Sequence, residues 1–246
     1  IGVSLGTFFG VLPGIGALAS VSMLMPLALY LPPATALIML AGVYYGAEYG
    51  GSISSILLNL PGTPSNAVTC LDGYPLATQG KAGLALFVTT ISSYIGGTIG
   101  ILALFLFSPL ITSVALEFGP AEFFTVILFG LIAAATVTDG SPMKGLSMVL
   151  LGLMLGTVGA DLETGVARFT LGFDPLEDGV SFIALATGLF GVSEIILSIR
   201  NSSTKHSIKH LKFLEMIPSW TEFKTTLWPT VRGAFIGVFF GALPGT

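Results

Sequence analysis

Six long apolar segments, separated by short polar stretches, cover most of this chain. Only 9% of its 246 residues are charged and its mean hydropathy is +0.92, whereas a typical soluble domain carries roughly 25% charged residues. A helix of about 20 apolar residues matches the hydrocarbon thickness of a bilayer. The sequence therefore predicts an all-α polytopic membrane protein with about six spans, some of them interrupted or re-entrant. The segments are 2–31, 34–60, 84–107, 120–138, 145–160 and 179–199.

The first two segments contain residues that break helices. Positions 11–16 read VLPGIG, where Pro13 lacks an amide hydrogen and the glycines loosen the backbone. Positions 44–52 read YYGAEYGGS, and the second segment ends at NLPGTPSN, positions 59–66. We therefore expect two half-helices in the first segment and an interruption in the second. A polar connector is expected from there to about Gly83.

The distribution of Lys and Arg predicts the orientation in the membrane. Six of these nine residues fall between positions 200 and 232, and short loops rich in Lys and Arg stay on the cytoplasmic side. Residues 200–232 are therefore predicted to be a cytoplasmic linker. Counting spans back from this linker places Lys81 and Lys144 inside as well. The acidic loop 161–178 is then predicted to lie outside.

The cytoplasmic linker also contains apolar residues at a spacing of three. Ile208, Leu211, Leu214 and Ile217 recur among basic residues, which is typical of a short amphipathic helix lying on the headgroups. A solvated linker with chance spacing is the alternative interpretation.

A motif near the start of the chain returns at its end. Residues 2–15, GVSLGTFFGVLPGI, and residues 233–246, GAFIGVFFGALPGT, are identical at eight of fourteen positions. This match predicts a first transmembrane repeat at 1–199, followed after the linker by the truncated start of a second repeat. Interrupted helices at matching positions of two halves point to a transporter's binding site. We therefore expect the first half of an internally repeated secondary transporter, and we favour inverted over parallel repeats.

Three stretches resemble one known family. They are GTFFGVLPGIG at 6–16, YYGAEYGGSISSILLNLPGTPSNAVTCLDGYPLATQGKAG at 44–83, and the returning GALPG at 241–245. Together they resemble the large membrane subunit of the tripartite tricarboxylate transporters, the TctA family. The resemblance implies a multi-pass protein of the bacterial inner membrane that works with a small membrane subunit and a periplasmic substrate-binding protein. It also implies import of citrate-like carboxylates, driven by a cation gradient.

The broken segments are the predicted substrate site. A carboxylate that leaves water needs replacement hydrogen-bond donors, and no Lys or Arg lies inside these segments. We therefore expect backbone N–H groups at half-helix N-termini and nearby side chains to supply the donors. Thr63 or Ser65 is expected to cap the helix that follows. The predicted substrate-binding residues are Gly14, Gly16, Ser52, Ser54, Ser55, Asn59, Gly62, Thr63, Ser65 and Asn66.

Two coupling ions are compatible with the sequence, and no other cofactor is expected. Unwound carbonyls around Gly14 and Gly62, together with the Asn59 side-chain oxygen, offer ligands for Na⁺. A proton requires a titratable group, and Glu48 is the strongest candidate because intramembrane carboxylates are functional by default. A structural role for Glu48, bracing Tyr44 or Tyr45, is the alternative.

Other functional classes fit the sequence less well. An ion or solute channel would also use interrupted helices and a polar lining, and it is the alternative function. Hydrolysis inside the membrane would require a nucleophile with a base at membrane depth, whereas His206 and His210 lie in the predicted linker. The protein is therefore not expected to be an enzyme. The lone Cys70 excludes an internal disulfide or a cysteine metal cluster, and no nucleic acid partner is expected.

Overall fold

The computed structural model describes residues 1–136, 141–161, 164–200 and 216–241, and most of them are helical. The chain forms two compact units. The first unit combines Ile1–Ile95 with Phe182–Val231, and the second combines Gly96–Ser181 with Arg232–Thr246.

The first apolar segment is broken where the sequence predicts. Helix α1 spans Gly2–Val11 and helix α2 spans Gly16–Ala28. Between them, Gly14 adopts a positive φ of 95° and Gly16 one of 68°, a region that is open to glycine but costly for other residues. VLPGIG therefore separates two half-helices because a proline and two left-handed glycines follow one another.

Helix α3 spans Pro33–Leu58 without interruption, so YYGAEYGGS does not break it. The glycines of this stretch instead allow α1 and α3 to pack backbone against backbone. A Cβ atom at Gly6 would overlap the carbonyl oxygen of Val43, and one at Gly46 would overlap that of Val3. This packing offsets the low helix propensity of glycine. The glycines at this contact are Gly2, Gly6 and Gly10 of α1 and Gly42, Gly46 and Gly50 of α3.

The predicted polar connector is wrong, because the chain after the second break is helical. A single 3₁₀ turn, Pro64–Asn66, leads into α4, Ala67–Leu76, and a wide turn, Ala77–Lys81, leads into α5, Ala82–Glu117. Gly80 adopts a φ of 81° within the wide turn, which kinks the helical run. Helix α5 also continues ten residues past its predicted end at 107 and contains Pro109.

The second unit contains two further helices and a small hairpin. Helix α6 spans Pro120–Thr136 and α7 spans Pro142–Gly156. In the predicted acidic loop, β1 (Gly159–Ala160) pairs antiparallel with β2 (Ala167–Arg168), and a 3₁₀ turn follows at Asp174–Leu176. Arg168 forms an ion pair with Asp161 across this hairpin. The two-residue strands are a small departure from the all-α expectation.

The remaining helices follow the acidic loop. Helix α8 spans Phe182–Ala186, a wide turn covers Thr187–Val192, and α9 spans Ser193–Arg200. Helix α10 spans Trp220–Gly241, so the boundary predicted at residue 232 falls inside a helix. The basic residues and histidines at 201–215 and the final letters of the repeated motif, 242–246, lie outside the described residues.

One helical run within the described residues is long and apolar enough to cross a membrane. It is Pro64–Ser113, with a mean hydropathy of 2.0 in its most apolar window and no part of that window buried within the protein. The apolar helices of 10–17 residues are Gly2–Val11, Gly16–Ala28, Pro120–Thr136, Pro142–Gly156 and Phe182–Val192. The total of six spans and the internal repeat stay predictions.

Candidate substrate site

The two helix breaks meet in the first unit. A Cβ atom at Gly62, in the second break, would lie 2.5 Å from the Cα of Gly51 and 2.7 Å from the carbonyl oxygen of Gly10. On the other side of the first break, a Cβ at Gly16 would lie 4.0 Å from the carbonyl oxygen of Gly62. The second break therefore packs against both half-helices that flank the first, and only glycine at position 62 permits this approach.

A carboxylate and two hydroxyls form a compact cluster beside these breaks. The Glu48 Oε2 atom accepts hydrogen bonds from Thr63 Oγ1 at 3.1 Å and from Ser65 Oγ at 2.6 Å. The two hydroxyl oxygens lie 2.8 Å apart. Thr63 is buried, Glu48 is half-buried and Ser65 is exposed. The hydroxyl cluster, defined as Glu48, Thr63 and Ser65, therefore opens to the surface on the Ser65 side.

The amide of Asn66 joins the hydroxyl cluster to helix α3. Its Nδ2 donates to the carbonyl oxygen of Glu48 at 3.0 Å and to Thr63 Oγ1 at 2.7 Å, and its Oδ1 accepts from Ser52 Oγ at 2.7 Å. Asn66 is only 6% exposed, so each of these bonds replaces water that the amide has lost. The side chain therefore fixes the segment after the break in one position.

The capping role predicted for Thr63 or Ser65 is wrong. Thr63 does precede the Pro64–Asn66 turn in extended conformation, but no side chain caps that turn or the following helix α4. The two hydroxyls instead donate to Oε2 of Glu48. The interaction spans 15 and 17 residues of sequence.

The other predicted serines face the backbone. Ser54 Oγ and Ser55 Oγ each donate to the carbonyl oxygen of Gly51 at 2.9 Å, and Ser55 Oγ also lies 3.1 Å from the carbonyl oxygen of Asn66. Both serines are almost completely buried. They therefore stabilise the end of α3 and its contact with the next segment rather than offering donors at the surface.

The two remaining predicted positions lie at the edges of the breaks. Asn59 follows the last residue of α3 in a left-handed conformation, with φ 56° and ψ 31°, which Asn tolerates better than most residues. Gly14 packs against the side chain of Ile183 in α8. Neither residue belongs to the hydroxyl cluster.

Helix α3 is also tied to α5 by two tyrosines that the sequence analysis did not assign to the site. Tyr45 donates to the carbonyl oxygen of Ser93 at 2.6 Å, and the Tyr49 and Thr90 hydroxyls lie 2.6 Å apart. Tyr45 and Tyr49 are four residues apart and therefore lie on one helix face. This spacing is the sequence pattern from which a shared contact of the two tyrosines could be predicted. Glu48 binds the Thr63 and Ser65 hydroxyls rather than bracing Tyr45.

The site has a simple electrostatic character. Residues 1–80 contain no Lys, Arg or His, and their only acidic residues are Glu48 and Asp72. Within the part of the chain that the structure describes, Glu48 forms no ion pair. The hydroxyl cluster therefore holds a carboxylate by neutral hydrogen-bond donors alone.

Comparison with known proteins gives the family. Residues 1–246 match the tripartite tricarboxylate transporter TctA family. The chain is 44% identical over 246 residues to an uncharacterised 52.8 kDa protein in the TAR-I ttuC' 3' region of Agrobacterium vitis. That alignment covers 100% of this chain and 49% of the relative, so the chain spans about half the relative's length. No solved structure matches the chain. A match over its whole length shows that this chain belongs to the tripartite tricarboxylate transporter TctA family, whose members are transporter components and not enzymes.

Proposed function

We propose that this chain forms part of the membrane subunit of a secondary transporter that imports tricarboxylates or related, citrate-like carboxylates. The family supports this proposal. The subunit would lie in the bacterial inner membrane as a multi-pass protein, with residues 200–232 in the cytoplasm. It would work with a small membrane subunit and with a periplasmic binding protein that delivers the carboxylate.

The observation that carries the proposal is the meeting of two helix breaks beside a cluster of hydroxyl donors. Irregular backbone is tolerated at membrane depth only where it is buried in protein or lines a cavity. Here the packing of Gly62 against Gly10 brings both breaks to one place. The hydroxyls of Thr63 and Ser65 already bind a carboxylate, that of Glu48. The same donors suit the carboxylate of a substrate.

The first turn of α2 adds further donors. This helix begins at Gly16 without a side-chain cap, and the first N–H groups of a helix have no partner within it. The helix dipole also favours an anion at this end. Broken helices that meet near the centre of the membrane are typical of carriers that work by alternating access. We therefore propose cation-coupled alternating access, with Na⁺ or H⁺ as the coupling ion.

Uptake of labelled citrate into proteoliposomes tests this function. The liposomes contain the complete transporter, with both membrane subunits, and the binding protein is added outside. Asn59→Ala and Thr63→Ala are compared with wild type, and Thr78→Ala is the matched control because Thr78 is exposed and bonds only the local carbonyl of Pro75. We expect saturable uptake that requires the binding protein and a cation gradient. It is lost in the first two variants and retained in the control.

Two results would contradict the proposal. Flux that does not saturate and needs no binding protein would indicate a channel. Absence of binding-protein-dependent uptake of every carboxylate tested, with monodisperse protein, would remove the carrier interpretation. Uptake of a different carboxylate in place of citrate would support the carrier and change only its substrate.

A further inference from the structure

The donors proposed for the substrate are already occupied by a side chain of the protein. Both hydroxyls of the cluster bind one oxygen of Glu48. A substrate carboxylate is also an acceptor without hydrogens, and it carries the same charge as ionised Glu48. The two carboxylates therefore compete for the same donors and repel one another. Glu48 occupies the place that the proposed substrate would take.

The number of hydrogens in the cluster shows what protonation of Glu48 would change. Glu48 Oε2, Thr63 Oγ1 and Ser65 Oγ lie 2.6, 2.8 and 3.1 Å from one another, and all three distances are compatible with hydrogen bonds. Each hydroxyl has one hydrogen, so ionised Glu48 leaves one of the three contacts without a hydrogen. Asn66 Nδ2 donates to Thr63 Oγ1, so it supplies no hydrogen to the three contacts between the oxygens. A proton on Glu48 gives this side chain a hydrogen of its own to donate, so the hydroxyls no longer have to direct theirs at Glu48.

We propose that Glu48 is the proton-binding site of the transporter, and that protonation of Glu48 releases the Thr63 and Ser65 hydroxyls to the substrate carboxylate. This inference rests on the proposed function and names its coupling ion. The proton adds to the Glu48 carboxylate, the charge repulsion disappears, and both hydroxyls rotate with their own hydrogens towards the substrate. When the substrate leaves, Glu48 loses the proton and binds the hydroxyls again. Proton and carboxylate therefore move together.

The surroundings of Glu48 favour a proton over a metal cation at this position. Hard cations hold their oxygen ligands at roughly 2.0–2.6 Å, and those oxygens direct lone pairs at the ion. The oxygens of the hydroxyl cluster instead donate to and accept from one another. A Na⁺ ion would have to replace several of these hydrogen bonds at once, whereas a proton needs only one oxygen of Glu48.

Among the described residues around α3, Glu48 is the group best placed for this role. The elements packed against α3 are α1, α2, the Pro64–Asn66 turn and α4, and two hydrogen bonds also join it to α5. The first three contain no titratable residue, α4 contains Cys70, Asp72 and Tyr74, and α5 contains Tyr94 and Glu117. On α3 itself the titratable neighbours are Tyr44, Tyr45 and Tyr49. Cys70 is buried and Asp72 is exposed. Within the described residues, Glu48 is the carboxylate that bonds the two hydroxyls.

The test uses the complete transporter in proteoliposomes with binding protein outside. Citrate uptake is measured with an inward proton gradient and no Na⁺, with a Na⁺ gradient at equal pH, and as counterflow without any gradient. Rates are compared at equal concentrations of fully ionised citrate. Glu48→Gln mimics the protonated state because its amide is neutral and donates hydrogens. Glu122→Gln is the control, since Glu122 is exposed and bonds only the Gly119 amide.

The expected result is specific to the coupling step. For wild type and Glu122→Gln, the proton gradient alone drives citrate uptake. The apparent KM for citrate of both proteins rises about tenfold per unit of external pH in the range where Glu48 is ionised, because one proton binds with each substrate. Glu48→Gln retains counterflow, but a proton gradient no longer accelerates its uptake and its KM no longer depends on pH.

Other results separate failure of this inference from failure of the proposed function. Wild-type uptake that saturates, follows only the Na⁺ gradient and ignores pH would overturn proton binding at Glu48 and leave the carrier intact. Wild-type protein without any saturable uptake would overturn the proposed function itself. A monodisperse Glu48→Gln protein without counterflow would contradict release of the hydroxyls. If Glu48→Gln does not fold, wild-type uptake measured with the proton gradient and with the Na⁺ gradient decides whether a proton is the coupling ion.

Discussion

Ser65 Oγ donates a hydrogen bond of 2.6 Å to Oε2 of Glu48 across 17 residues of sequence. The bond joins the middle of helix α3 to the segment that follows the second helix break. Because the neighbouring Thr63 hydroxyl binds the same oxygen, one carboxylate holds this segment against the helix. Glu48 and Asn66 together therefore hold the segment that follows the break against helix α3.

Replacement of Asn66 should loosen the second break. Asn66→Ala removes the acceptor of Ser52 Oγ and the donor to Thr63 Oγ1. A buried polar group that loses its partner costs about 1–3 kcal/mol, so the thermal midpoint should fall and uptake should decrease. The lone cysteine of this chain, Cys70, is buried, and the temperature at which a thiol reagent modifies it, read by mass spectrometry, reports unfolding of this region.

Thr78→Ala is the control for Asn66→Ala, because its hydroxyl bonds only a carbonyl three residues away. It should leave both the Cys70 midpoint and uptake unchanged. An Asn66→Ala protein with wild-type midpoint and uptake would show that the amide does not fix the break.

The close contact of α1 and α3 should not tolerate a methyl group. Gly6→Ala would place a Cβ against the carbonyl oxygen of Val43, and overpacking of this kind costs about 1–3 kcal/mol. At Gly130, in α6, a Cβ meets nothing within 4 Å. Gly130→Ala should therefore be neutral or stabilising by up to about 1 kcal/mol through helix propensity. The thermal midpoint of unfolding is measured for both variants by circular dichroism of the helices. Equal changes in this midpoint would contradict the packing argument.

Helix α10 should lose its first turn at acid pH. Ser219 and Glu222 form a capping box, in which Ser219 Oγ and the Ser219 amide donate to Glu222 Oε2 at 2.7 and 3.0 Å. These bonds, the hydroxyl first, lower the pKa of Glu222 below its ordinary value of 4.5, and Lys81 contributes in the same direction. A lowered pKa means that the stabilisation is complete above the ordinary value and is lost as pH falls through the lower one.

Hydrogen exchange of the peptide that begins at residue 216 measures this effect once intrinsic rates are subtracted. Protection should be constant above pH 4.5 and should decline below it. Ser219→Ala should reduce protection at neutral pH and weaken the acid transition. An acid transition of the same size in Ser219→Ala would show that another group is responsible.

The helix breaks were predictable from the sequence because their causes are local. Pro13 with Gly14 and Gly16, and Pro61 with Gly62, act on their own turns of backbone. The continuity of α3 through Gly46 and Gly50 was not predictable in the same way. Glycine weakens a helix in isolation, and only the packed α1 backbone shows why these glycines remain helical.

The residues of the candidate site could be proposed from the sequence more readily than their hydrogen-bond partners. Thr63, Ser65 and Asn66 are polar residues beside a break, and Glu48 is a carboxylate in an apolar segment. Their mutual hydrogen bonds depend on how the chain folds back after Gly62, which no local pattern contains. For the same reason no local pattern shows that Tyr45, one of the two tyrosines in the alternative role considered for Glu48, bonds the carbonyl of Ser93 in α5.

Substrate protection of residue 65 tests most directly whether the carboxylate binds at the hydroxyl cluster. Ser65→Cys, which lies at the exposed end of the cluster, is modified with a charged thiol reagent in the complete transporter. Thr78→Cys is the exposed control, and buried Cys70 is the internal one. Citrate should slow modification at position 65 and leave position 78 unchanged. Equal rates at position 65 with and without citrate, under conditions where citrate is transported, would contradict a binding site at this break.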